Sequence, residues 1–505
     1  MKNEIQNVES HKKEVDLKHL DEHYESYINE VLPDNFHRGD VVSSNRMLGY
    51  CDAVMATCAT FLALPIKSLK EIEKNETLSE FVFKIRAEIV MFFLGFIIVL
   101  TIWENMNIRA TVIKRVDDFI IVIIILELLA TTVLPFSLAI QGHFPYEKVS
   151  IIVTFSVLGF IQLLNVIMIL YAMATPHILH IELQSWSKAD LARFRNVFIA
   201  KPVLSIILLA IGGVLCLVHY VISWVFIAIL TIMPTLIKLV FYILRRHDLL
   251  TKRKIHPFYT YFFKGNISKE RVEVMSDAAI AIIACLLILD ITTEEFPIKN
   301  NVREHGLNYE LNHMKSEFFK FLTTFAMVST LWYINHTVLH LFSLVSTVML
   351  YLQKTFLAFT CLSPLGANMA LKFATKENVN SKVGIRFASL IIFWSSIANI
   401  FILLYGLMMK KKYLHQWAKL NSFKENQRQH AYILFKTLNV PFWSLLCTLG
   451  TLGSPKVALY FLYICFIGTL ASFFIGKLVF TNLVGKQTFS KDFKHTGNVN
   501  HNDNL

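Results

Sequence analysis

The sequence predicts an all-α polytopic membrane protein of twelve transmembrane helices, arranged as two parallel six-helix repeats. Three observations predict it. The 505 residues are 54% hydrophobic and only 17% charged, against roughly 25% charged in soluble domains. Apolar runs of about 20 residues, long enough to cross a bilayer, recur along the chain. A stretch near the start, RMLGYCDAVMATCATFLALPI (Arg46–Ile66), returns as RVEVMSDAAIAIIACLLILDI (Arg271–Ile291), 225 positions later.

Taken in order, residues 1–45 form a polar cytosolic segment in which acidic residues outnumber basic ones. No cleavable signal peptide is visible, so the first helix acts as the insertion signal. Apolar runs follow at about 46–66, 81–103, 118–141, 149–175, 196–219 and 221–244, the first repeat (46–244). A basic cytosolic linker, 245–270, leads to runs at about 271–291, 318–340, 343–371, 384–409, 431–450 and 457–484, the second repeat (271–484). The Asn/His-rich tail, 485–505, reads as disordered and cytosolic.

Arg109, Lys114, Arg115, Lys188, Arg193, Arg195, the stretch Arg245–Lys254 and Lys410–Lys412 then fall on the cytosolic side. The net charge of +12 is therefore topology, and nucleic-acid binding is set aside. Of three N-x-S/T sequons, Asn75-Glu76-Thr77 falls on the lumenal side and is the glycosylation candidate. Asn266 would be cytosolic and Asn335 intramembrane. The seven cysteines sit in apolar segments without CxxC spacing, which points to packing and not to disulfides or metal.

The repeat pairs Arg46 with Arg271, Asp52 with Asp277 and Ala53 with Ala278. Further on, Trp103 pairs with Trp332 and Pro135 with Pro364, both 229 positions apart. An even helix number gives both repeats the same orientation. Projected at 3.6 residues per turn, one stripe of the first helix takes Arg46, Tyr50, Ala53, Thr57, Thr60 and Leu64. Its hydroxyls suit a pore wall. The neighbouring stripe, Gly49, Asp52, Ala56, Ala59 and Ala63, is nearly all small and admits close helix packing. The matching stripe of the seventh helix is Arg271, Met275, Ala278, Ile282, Cys285 and Leu289. Asp52 has two readings, a polar contact that pins helix packing or an ion-attracting, proton-sensitive group at a pore mouth.

An arginine followed by a short spacer and aspartate at the start of both helices resembles the endolysosomal potassium channel family, transmembrane protein 175. SKERVEVMSDAAIAIIACLLILDI, the Lys-x-x-Asp-Asp pattern at Lys114–Asp118 and LPFS at Leu134–Ser137 are similar to segments of that family. The resemblance implies a homodimer with one central pore lined by the first and seventh helices, conducting K+ and H+ in endosomes and lysosomes without a cofactor. It implies selection at a hydrophobic constriction, and the chain has no TVGYG loop. The family's constriction isoleucine, five residues after the motif aspartate, is kept as Ile282 but replaced by Thr57. Ala53, Thr60, Leu64, Ala278, Cys285 and Leu289 would line the pore.

The resemblance also implies a motif network of Arg46, Asp52, Trp103 and of Arg271, Asp277, Trp332. The family places a histidine three residues after each tryptophan; here Met106 and Asn335 stand there. His336 and His340 share a helical face without an identifiable third ligand, so no metal is assigned. Glu127 reads as protonatable or as half of a buried pair, and Lys354 as snorkelling to an interface. A six-plus-six secondary transporter is the alternative, but its glycine-containing loop is not matched by ENMNIRATVIKRVDD. No HExxH or Gly-x-Ser-x-Gly constellation points to an enzyme.

Overall fold

The computed structural model describes residues 44–67, 77–246, 267–293, 296–297, 299–374, 379–409, 413–419 and 423–484. Expectations for residues 1–43, the linker 247–266, Asn75 and the tail 485–505 lie outside them. The first half contains α1 (Ser44–Phe61), α2 (Leu78–Lys84), α3 (Arg86–Val112), α4 (Asp118–His143), α5 (Lys148–Ala174), α6 (Lys188–Leu215) and α7 (Tyr220–Arg246). The second contains α8 (Lys269–Thr293), α9 (Lys299–His305), α10 (Leu307–His313), α11 (Lys315–Leu339), α12 (Thr347–Cys361), α13 (Ser363–Ala374), α14 (Val379–Met409), α15 (Phe423–Gly450) and α16 (Pro455–Val484).

Among the described residues, nine helices are long and apolar enough to cross a membrane. They establish an all-α polytopic membrane protein. Three of the twelve expected spans fall short by that measure. α1 has 18 residues that include Arg46 and Asp52. α11 is diluted by Lys315, Glu317, Lys320 and His336. The apolar stretch of α7 is Tyr220–Met233.

The first unit comprises Met1–Leu62 and Ala87–Ile267, the second Ala63–Arg86 and Ser268–Leu505. In the first, α1 packs on α4, α4 on α5, α5 on α6 and α6 on α7. Trp103, Phe92, Phe96 and Phe194 are among its fully buried side chains. In the second, α8 packs on α11 and α12, and α14 contacts α12, α13 and α15. α14 approaches α13 closely: a Cβ on Gly384 would lie 2.6 Å from the Met369 carbonyl oxygen.

Local chemistry sets the helix ends. α1 stops at Phe61 and not near Ile66, because Pro65 disfavours helical geometry at the residue before it. Asp117 caps α4, accepting from the Ile120 amide at 2.9 Å and from the Tyr171 hydroxyl at 2.5 Å. At the matching position Ser346 caps α12, accepting from the Met349 amide at 3.4 Å. Thr77 and Glu80 form a capping box on α2. The single run expected at 343–371 is broken at Leu362, before Pro364, whereas Pro135 stays inside α4.

Each half also closes one antiparallel bridge between the end of a long helix and a later connector. In the first it joins Ile113 to Leu179; in the second it joins Phe342 to Leu414. The amides repeat the match: His180 donates to the Val112 carbonyl at 2.9 Å, and His415 to the Leu341 carbonyl at 3.1 Å.

Candidate functional site

Each unit holds an aspartate near the start of a helix, Asp52 in α1 and Asp277 in α8. The Trp103 indole N–H donates to Asp52 Oδ1 at 2.7 Å. The Trp332 indole donates to Asp277 Oδ1 at the same 2.7 Å. Trp103 reaches across from α3 and Trp332 from α11, so an aspartate about two turns into α1 or α8 is pinned to a neighbouring helix. Asp52 and Trp103 are 0% and 2% exposed, whereas Asp277 is exposed and Trp332 is 39% exposed.

The residues beyond each aspartate are not placed alike. On α1 the open stripe is Tyr50, Ala53, the half-buried Thr57 and Phe61. Thr57 donates to the Ala53 carbonyl at 2.9 Å, which satisfies its hydroxyl hydrogen within the helix. Thr60 is turned inward, 1% exposed, and bonds to the Ala56 and Thr57 carbonyls at 3.1 and 3.0 Å. Leu64 lies past the helix end, half-buried, so helical projection does not reach it. On α8, Ala278 and Ile282 are half-buried, while Cys285 and Leu289 are exposed on one side. Arg46 is exposed and Arg271 half-buried at the starts of the two helices.

Behind the clamps the two halves use different buried chemistry. In the first, Arg109 Nη2 donates to Glu127 Oε2 at 2.6 Å, and Asn165 stands beside the same carboxylate. Glu127 is therefore half of a buried pair. In the second, Asn335 Nδ2 donates to Gln353 Oε1 at 2.9 Å and to Asn399 Oδ1 at 2.8 Å. Gln353 Nε2 donates back to Asn335 Oδ1 at 2.9 Å and to Ser276 Oγ at 2.8 Å. This chain of amides ends on the residue before Asp277. Lys354 does not snorkel outward: it is 4% exposed, with its ammonium 5.0 Å from the centre of the Tyr351 ring. His336 stacks between Trp332 and His340, with centroids 5.8 and 6.1 Å away.

Asn165, Gln353 and Asn399 were missed in the sequence, and Arg109, read there as a basic residue of a cytosolic connector, is instead buried in the last turn of α3. A signal for two of them was present: NVIMILYAM (Asn165–Met173) and NIFILLYGL (Asn399–Leu407) align asparagine on asparagine and tyrosine on tyrosine.

Comparison with known proteins agrees with the duplication of the clamps. The family model described as endosomal/lysosomal potassium channel TMEM175 matches residues 46–135 and again 271–364, the segments that hold both aspartates and both tryptophans. The endosomal/lysosomal proton channel TMEM175 of Danio rerio is 25% identical over 426 residues, 82% of this chain and 80% of its own length. Those of Gallus gallus and Homo sapiens are 27% identical over 420 residues and 26% over 450. The chain is similar to the TMEM175 family in both matched segments. Members of this family are ion channels and not enzymes. A solved TMEM175 homologue from Chamaesiphon minutus, described as lysosomal and potassium-selective, aligns at 17% identity and a TM-score of 0.32, covering 41% of this chain and 97% of its own.

Proposed function

We propose that this chain is a member of the TMEM175 family and forms a leak-type cation channel, permeable to K+ and H+, in endosomal and lysosomal membranes. It acts as a homodimer of two parallel six-helix repeats per subunit, twelve spans in all, with both termini cytosolic. α1 and α8 line the pore, Thr57 and Ile282 form its constriction, and Ala53, Thr60, Leu64, Ala278, Cys285 and Leu289 line the rest. Arg46 and Arg271 stand at its mouth.

The observation that carries this reading is the clamp built twice, Trp103 on Asp52 and Trp332 on Asp277. Two helices with a pinned carboxylate at the same register, both within segments matched by one channel-family model, suit an ion entrance lined by equivalent helices. A ring alternating threonine and isoleucine wets more readily than four isoleucines, so the barrier at the constriction is lower than in an all-isoleucine ring.

Patch-clamp recording from enlarged endolysosomes tests this. Large currents that do not saturate with K+ support the channel; flux that saturates without such currents marks a transporter and overturns it. Thr57→Ile is expected to lower the leak or raise K+ over Na+ permeability several-fold. If neither Thr57→Ile nor Ile282→Asn alters conductance or selectivity, the pore assignment fails.

A further inference from the structure

A cavity of about 170 Å³ opens between α3, α5, α6 and α7 of the first unit. Its lining is graded along the helices. Toward the middle of α3 it is walled by Ile98, with Leu158, Leu209 and Leu230 from the other helices. Toward the end of α3 stand Asn105 and Arg109, with Lys201 from α6. At ~1.5 Å per residue, the span from Ile98 to Arg109 is about 16 Å. Arg109 lies within one turn of the end of α3 at Val112, the level at which a spanning helix meets lipid headgroups.

The polar end is built and incompletely satisfied. Lys201 Nζ donates to Asn105 Oδ1 at 2.7 Å. Arg109 is 5% exposed; its Nη2 is used by Glu127, while Nε and Nη1 are buried and have no hydrogen-bond partner. Buried guanidinium N–H groups without acceptors are costly, so the site calls for oxygens at that end. Nothing comparable is found at the matching positions of the second half, where Val338 and Ile334 replace Arg109 and Asn105. A cavity of about 150 Å³ in the second unit, between α11, α13, α14, α15 and α16, is lined by no lysine or arginine.

We propose that this slot holds a glycerophospholipid, with phosphodiester oxygens accepting from Arg109 Nε and Nη1 and an acyl chain along the apolar wall. A free phosphate would satisfy the donors but leave Ile98, Leu158 and Leu209 uncovered. The lipid satisfies both ends. The occupant is a structural or modulatory ligand, and its binding is read without reference to ion conduction.

The test uses the full-length protein in detergent with a phosphatidylcholine that carries a photoreactive group near the end of one acyl chain. Label is expected on the peptides around Ile98 and Leu209, and unlabelled phosphatidylcholine should remove it. Thr101→Trp, which fills the slot, should cut that label about tenfold, and Ser205→Leu provides an independent obstruction. Size-exclusion elution checks that each variant is folded. Label spread evenly over the outward helix faces, or unchanged in both folded variants, overturns the proposal. Loss of label to inorganic phosphate alone would make this an anion site, and loss to palmitate a carboxylate site; either result also overturns it.

Discussion

The two tryptophan–aspartate clamps have the same length, yet the buried groups behind them have opposite chemistry. In the first half, Arg109 and Glu127 form an ion pair at 2.6 Å with Asn165 beside it. In the second, the positions that match Arg109 and Glu127 are Val338 and Phe356. Polarity is supplied there by Ser276, Gln353, Asn335 and Asn399, which match Cys51, Ile124, Met106 and Asn165. Only the asparagine is common to both. The lesson is that the same clamp occurs beside two kinds of buried polar chemistry, one ionic and one neutral. An ion pair must overcome the desolvation of two charges, whereas an amide network needs its donors matched to acceptors.

Breaking the ionic support should have the largest effect. Glu127→Ala leaves the Arg109 guanidinium buried without its carboxylate, and such one-sided removals cost about 3–5 kcal/mol. Thermal unfolding in detergent should show this as a fall of several degrees. The double variant Arg109→Val with Glu127→Phe installs the residues that the second half already uses, and should recover most of the loss. If the double variant is no better than Glu127→Ala, the ion pair does more than fill the place of an apolar contact, and the equivalence drawn between the halves fails.

Much of this arrangement was legible in the sequence because it rests on identity at fixed spacing. Arg46, Asp52 and Trp103 recur as Arg271, Asp277 and Trp332, and the family model matches both copies. The clamp's geometry was not legible, since a shared register does not say that the indole reaches the carboxylate. The supports were harder still. Once the motif is aligned, Glu127 faces a phenylalanine and Gln353 an isoleucine, so each network is invisible from the other half. Helical projection failed at Leu64 because Pro65 ends α1 at Phe61. It placed Thr60 on the open stripe, where Phe61 is 41% exposed and Thr60 is buried.

The clamps themselves offer a smaller test. Trp103→Phe removes an N–H donor from an aspartate that is 0% exposed, whereas Trp332→Phe removes one from an exposed aspartate. Hydrogen bonds to charged groups contribute about 1.5–3 kcal/mol, toward the upper end when the acceptor cannot rehydrate. Trp103→Phe should therefore lower the unfolding temperature more than Trp332→Phe. Equal losses would mean that exposure does not separate the two clamps, and that water reaches Asp52 as freely as Asp277.

The smallest effect concerns the connectors. His180 and His415 occupy the same place in the two antiparallel bridges, but their surroundings differ. His415 stacks on Trp417 with ring centroids 6.2 Å apart. Burial, reinforced by the Lys114 ammonium and opposed by Glu182, holds the His180 imidazole below its ordinary value. The folded chain then binds fewer protons here than the unfolded chain. Stability from this group is complete above the unfolded value, about 6.5, and is lost as pH falls from there toward the folded value. His180→Gln should flatten the dependence of unfolding temperature on pH between pH 7 and 5, by about 2 °C or less. An unchanged slope in this variant would place the acid sensitivity in other groups.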